Sequence, residues 1–182
     1  RALVMTPPVP QTLELLEASG IQLHPQDFDE LRRIQFGPCL CGLHEIDGAV
    51  DLPQPGAVQN FHSEVYWIAD NHAKGISEAK IVTTHASARY SRQNWDAPPA
   101  DIIAELEAAV LPYLKAGGRI VQTQLMRWPY SVPLTTHPRE CLLARDLPNL
   151  AFAGDAFGGR GRVEGAFMSG IAAGHALADV LN

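Results

Sequence analysis

The chain has 182 residues, 46% of them hydrophobic and 19% charged, which is the composition of a folded domain with a buried core and excludes intrinsic disorder. Its net charge of −6, with no basic patch interleaved with aromatics, excludes a nucleic-acid partner. No apolar run reaches the length of a membrane-spanning helix, so no membrane partner is expected. Three cysteines without a framework favour reduced thiols and a cytoplasmic location.

In chain order, residues 2–6 read as a short buried strand, broken by Pro7, Pro8 and Pro10. Pro10 starts a helix through Ala18 that closes at Gly20, with Leu13 and Leu16 on its apolar face. Pro25 starts a second short helix through Arg33. Residues 38–46 form a strand with Cys39, Cys41 and Leu43 on one face, and residues 47–62 are a loop with room for one short strand. Val65–Ala69 and Ile81–His85 are the next strands, joined by a turn that starts at Asp70-Asn71 and ends at Gly75.

Pro98 and Pro99 lead into a helix from Ala100 to Leu114, ended by Gly117-Gly118. Residues 119–127 alternate as a strand. Ile120, Gln122, Gln124 and Met126 take one face, Val121, Thr123 and Leu125 the other, and Pro129 stops it. Residues 150–153 are an apolar strand, followed by a glycine-rich turn and a helix from Glu164 to Leu181. The short turns between strands give an α+β fold with a mostly antiparallel sheet and helices, the first and last strands belonging to a separate parallel sheet.

The glycine turn carries the chemistry. Gly154, Gly158, Gly159, Gly161 and Gly165 let backbone approach a ligand, and the helix start that follows presents unpaired N–H groups, as in pockets for phosphates and dinucleotides. Asp155 at the strand end is either a hydroxyl-binding carboxylate or a helix cap. Arg162 can pair with phosphate, whereas Arg160 reads as a surface loop residue. Ala166, Gly170, Gly174 and Ala178 recur every four residues and are expected to pack closely on a sheet. The spacing Gly159-x-Gly161-x-x-x-Gly165 is one residue longer than G-x-G-x-x-G, and no second strand follows. The segment therefore reads as the last strand and helix of a nucleotide domain.

Elsewhere, Trp128 is either an aromatic wall or a core residue, Trp67 reads as core, and His85 is either a pocket contact or a structural histidine. No G-x-S-x-G elbow, carboxylate pair or four-ligand metal set stands out, so neither hydrolase chemistry nor a metal is expected.

Gly154-Asp155, Glu164-Gly165-Ala166 and Ser169-Gly170 resemble the carboxyl end of flavin-dependent amine oxidases. Leu3-Val-Met-Thr-Pro-Pro-Val-Pro10 and Met126-Arg-Trp-Pro-Tyr-Ser131 are similar to the return strand and the Trp-x-x-Ser stretch of the renalase-like branch. Trp67–His72 and Thr84-His85 fit more loosely. The resemblance implies the C-terminal half of a renalase-like FAD-dependent oxidoreductase, with the N-terminal G-x-G-x-x-G half absent. Residues 1–8 would be the return strand, 9–149 the substrate-binding domain, and 150–182 the last strand and C-terminal helix of an FAD-binding Rossmann-like domain. It implies FAD contacts at Gly154, Asp155, Arg162, Val163 and Glu164, the last two through backbone N–H groups facing the flavin ring edge. His85 and Trp128 are the substrate-pocket candidates, and no side chain is assigned as catalytic. Hydride would pass from a dihydronicotinamide or an amine to flavin N5, with O₂ as acceptor, and the fragment alone would be inactive. Two alternatives stay open: a non-catalytic binding domain that has lost flavin, or a separate polypeptide that supplies the missing half.

Overall fold

The computed structural model describes residues 1–159 and 161–181. The chain divides into two compact units, Arg1–Gly37 with Tyr130–Asn182, and Pro38–Pro129. The elements are β1 (Leu3–Met5), α1 (Val9–Ala18), α2 (Pro25–Leu31), β2 (Phe36–Asp47), β3 (Ala57–Gln59), β4 (Val65–Asp70), β5 (Ile81–Ala86), α3 (Ala88–Gln93), α4 (Pro99–Val110), β6 (Arg119–Pro133), β7 (Leu142–Leu143), β8 (Leu150–Phe152) and α5 (Val163–Leu181).

In the first unit β1 pairs in parallel with β8, Val4 opposite Ala151, and β7 adds an antiparallel strand in the order β1-β8-β7. The first and last strands thus form the expected parallel pair. The antiparallel β7 was not anticipated, because two residues are too few to show a period. Pro10 sits in the first turn of α1, where its missing N–H costs nothing, and Gly20 beyond the helix end takes φ +69°. Leu16, Leu31, Leu142, Phe152 and Phe157 form the core with Met5 and Val9. Burying each of the larger side chains contributes about 1.5–3 kcal/mol.

Helix α5 lies against β7 and β8 through Ala173 and Leu177, which cluster with Ala151 and Ala153. Its buried stripe is Gly165, Ser169, Ala173 and Leu177. The stripe expected from small residues is wrong by one position: Gly170, Gly174 and Ala178 are exposed, and an added Cβ at Gly170 or Gly174 would meet nothing within 4 Å. Small size marked two adjacent stripes equally well, and Leu177, the one large residue among the eight, belongs to the stripe that faces the sheet.

In the second unit five strands run β3-β4-β5-β2-β6, and each of the pairs β3–β4, β4–β5 and β5–β2 is antiparallel. Ile102, Leu106 and Val110 of α4 pack on Leu40, Ile68 and Val82. The α-helix ends at Val110 rather than at Leu114; Leu111–Tyr113 tighten into a 3-10 turn around Pro112, which cannot donate the next helical bond. Strand β6 does not stop at Pro129 but runs to Pro133. It is an edge strand, where a proline can turn its missing donor outward. Ile120 and Leu125, expected on opposite faces, both pack on the same core, because consecutive exposed residues Val121 and Gln122 change the phase between them. The short α3 was also missed, although Ser87 caps it by accepting the N–H of Tyr90.

Among the described residues, no helix is long and apolar enough to cross a membrane.

Candidate functional site

In the first unit the chain leaves β8 through Ala153, whose N–H donates to Met5 O at 3.1 Å, and then turns at Gly154. Gly154 has φ +143°, a backbone conformation closed to most L residues. Its N–H donates 2.9 Å to Ser169 Oγ, and Ser169 is fully buried on the sheet face of α5. Gly158, Gly159 and Gly161 also take positive φ, so the turn is built from backbone that glycine alone adopts without strain. Helix α5 then begins at Val163, and the N–H of Ala166 closes its first bond on Arg162 O at 2.9 Å.

These parts surround a cleft of about 600 Å³. Thr6 and Gly154-Asp155 come from the carboxyl ends of the parallel strands, Arg162 and Val163 from the helix start. Open α/β sheets bind nucleotides at such strand ends, and a helix start leaves N–H groups for an anion. The cleft therefore brings Gly154, Asp155, Arg162 and Val163 together, and Glu164 follows in the first turn of α5. Val163 is 88% exposed, so the helix start is open to a ligand. Asp155 is half-buried; burial pushes its carboxyl pKa up, against the pull of the N–H groups of Asp155 and Ala156. Arg160 lies outside the described residues. The elements fit a phosphate-bearing cofactor such as FAD: glycine backbone without Cβ atoms, a helix start, a guanidinium and a hydroxyl-accepting carboxylate.

A groove of about 640 Å³ lies between α1 and α2, floored by Leu16, Ile21 and Phe28. It holds no comparable set of polar groups.

The second unit places the other candidates. Gln59, Trp67, His85 and Cys41 form one cross-strand row over β3, β4, β5 and β2. This row lies on the face opposite Ile68 and Thr84, the side that packs against α4. Trp67 is thus half-buried on the other face and not part of that core, contrary to the core assignment. His85 is half-buried, with the Tyr66 ring 6.4 Å away, and burial lowers its pKa, helped by the charge of Lys74. Trp128, on β6, is 51% exposed, which removes its core reading. Asp70 accepts the N–H groups of His72 and Ala73 at 2.9 and 3.1 Å, which makes it a turn former.

On the α4 side, Thr123 donates to Glu107 Oε1, so its oxygen accepts from His44 Nδ1 at 2.9 Å, and Thr84 Oγ1 then donates to His44 Nε2 at 2.8 Å. Burial drives the His44 pKa down to about 4, so the ring is neutral. Sequence reasoning missed this relay, and it missed the Ser169–Gly154 bond, although Ser169 stood in the motif used for the resemblance.

The family model for flavin containing amine oxidoreductases matches residues 1–177, and the chain belongs to that family. Two solved structures share its fold. A protein from Exiguobacterium sp. 255-15, named as a protoporphyrinogen oxidase, is 15% identical with a TM-score of 0.53, over 99% of this chain and 41% of its own. A protein from Pyrococcus furiosus is 12% identical with a TM-score of 0.54, over 96% of this chain and 40% of its own. The chain thus spans about two fifths of the length of these structures.

Proposed function

We propose that this member of the flavin containing amine oxidoreductases supplies the substrate-binding part and the last flavin-contacting strand, turn and helix of a renalase-like FAD-dependent oxidoreductase. The observation that carries the reading is the glycine turn seated between the carboxyl ends of parallel β1 and β8 and the start of α5. When bound, FAD would supply the redox chemistry, taking hydride at N5 from a dihydronicotinamide or an amine and passing the electrons to O₂.

The chain's own residues bind and orient. The Asp155 carboxylate accepts a sugar or ribityl hydroxyl, and Arg162 neutralises phosphate. Backbone N–H groups of Val163 and Glu164 stabilise negative charge on the ring edge, as helix starts do. His85 offers a neutral ring nitrogen to the substrate and Trp128 a flat apolar surface. No side-chain nucleophile is needed. A complementary half carrying the G-x-G-x-x-G turn is the proposed partner, and a reducing cytoplasm the proposed location.

Visible absorption decides first. The full-length natural product should purify with flavin bands, and Asp155→Ala should weaken FAD binding on the order of tenfold, about 1.4 kcal/mol. A colourless protein that takes up no added FAD would sink this reading. It would leave the alternative, a binding domain without redox activity.

A further inference from the structure

The residues that flank the glycine turn are themselves held from one place. Segment 133–140 runs alongside it. His137 N donates to Ala156 O at 2.7 Å, Gly158 N donates to Arg139 O at 2.9 Å, and the His137 ring packs on Phe157 with centroids 5.5 Å apart. A Cβ on Gly158 would touch Glu140, and one on Gly161 would touch Pro133. The seat of the turn is therefore this segment as much as β8.

Helix α2 and the residues after it grip the segment. Thr135 Oγ1 donates to Arg33 O at 2.7 Å and accepts the N–H of Gln35 at 2.8 Å, and Leu134 N donates to Gln35 O at 2.7 Å. Glu30 gathers three donors: His137 Nε2 at 3.1 Å, Arg145 Nη2 at 3.0 Å, and Arg139. His137 Nδ1 accepts the N–H of Arg139, which leaves the Nε2 proton for Glu30. Beneath it, fully buried Asp27 accepts from the backbone N–H of Arg145 at 2.8 Å and from its guanidinium. The His137 and Arg145 hydrogen bonds, with Arg139, hold the Glu30 carboxyl down at about 2, against its partial burial. Charge-assisted bonds of this kind are the stronger class of hydrogen bond.

We infer that Glu30 is a positioning residue for the cofactor turn: through His137 and Arg139 it sets the segment on which Ala156–Gly158 are seated. Its role toward FAD rests on the proposed function, whereas its hold on the turn does not. Both are measured on the full-length protein, by FAD titration and by amide hydrogen exchange. Glu30→Gln should raise the Kd for FAD roughly tenfold, about 1.4 kcal/mol, and speed exchange at the amides of Phe157 and Gly158 more than at those of β8. If Glu30→Gln does not fold, Arg139→Gln removes the Arg139 arm of the link from the exposed side, read by the same two measurements. Uniformly faster exchange across the first unit would mark Glu30 as merely structural and overturn the inference. So would an unchanged Kd. If the wild type takes up no FAD, the flavin reading falls, and exchange at Phe157 and Gly158 alone decides whether Glu30 holds the turn.

Discussion

Ser169 and Gly154 are joined by a 2.9 Å hydrogen bond that ties the last helix to the residue where the chain leaves β8. The bond satisfies a backbone N–H in a place where no side chain could be added without strain. Ser169→Ala removes the acceptor and leaves the Gly154 N–H unpaired. The expected loss is about 1–3 kcal/mol of stability, read from denaturant unfolding of the first unit. If the cleft holds FAD as proposed, binding by the full-length protein should weaken with it, since the same turn lines the cleft.

His44 makes a pH prediction with a definite sign. Its folded pKa is about 4, below the ordinary 6.5, because burial disfavours the charged ring. Between those values the unfolded chain binds a proton that the folded chain does not. The His44 contribution is therefore fully present above pH 6.5 and is lost as pH falls toward 4, by about 3 kcal/mol in all. All three tryptophans, Trp67, Trp95 and Trp128, lie in the second unit, so their fluorescence follows its unfolding. Wild type should weaken steeply across this window, and His44→Gln should flatten the profile. A parallel profile in the variant would clear His44. The Glu30 carboxyl acts in a lower window: its folded value near 2 contributes stability above about 4.5 that is lost as pH falls toward 2.

The offset stripe on α5 gives a gain rather than a loss. Gly174 is helical, exposed and has nothing within 4 Å of an added Cβ. Gly174→Ala should stabilise the chain by roughly 0.5–1 kcal/mol through helix propensity, seen as a higher Tm. Ala173→Leu, one residue earlier and fully buried against Ala151 and Ala153, should destabilise by roughly 1–3 kcal/mol through overpacking. Had the sequence-derived stripe been correct, Gly174→Ala would instead crowd the sheet and destabilise, and Ala173→Leu would be close to neutral.

That pair also marks how far the sequence could be read. Strand and helix positions set by local chemistry were legible: Pro10 and Pro25 at helix starts, Gly20 at a helix end, and the Gly154–Gly161 turn before α5. What escaped depended on neighbours far along the chain. Pro129 stops a strand only where its N–H is needed, and its edge position is a property of the sheet. The Glu30–His137 contact joins residues 107 apart, and no local period signals it. Four of the five candidate cofactor residues line one cleft because all five sit within ten positions of one another; His85 and Trp128 had no such help.

Trp128 offers the clearest separation of binding from folding. It is 51% exposed on edge strand β6, flanked by Arg127, which donates to the carbonyls of Trp95 and Ala97 at 3.2 and 3.3 Å. Those bonds hold the strand without the indole, so Trp128→Ala should change stability by no more than about 0.5 kcal/mol, the usual range for surface substitutions. If the indole orients substrate in the full-length flavoprotein, the same change should slow anaerobic flavin reduction roughly tenfold, leaving FAD affinity untouched, because misplacing a reactant costs rate before it costs binding of anything else. Stopped-flow absorbance beside an unfolding curve measures both. Reduction at the wild-type rate would remove Trp128 from the substrate site, and a large stability loss would mean that the indole is buried against a surface supplied from outside this chain.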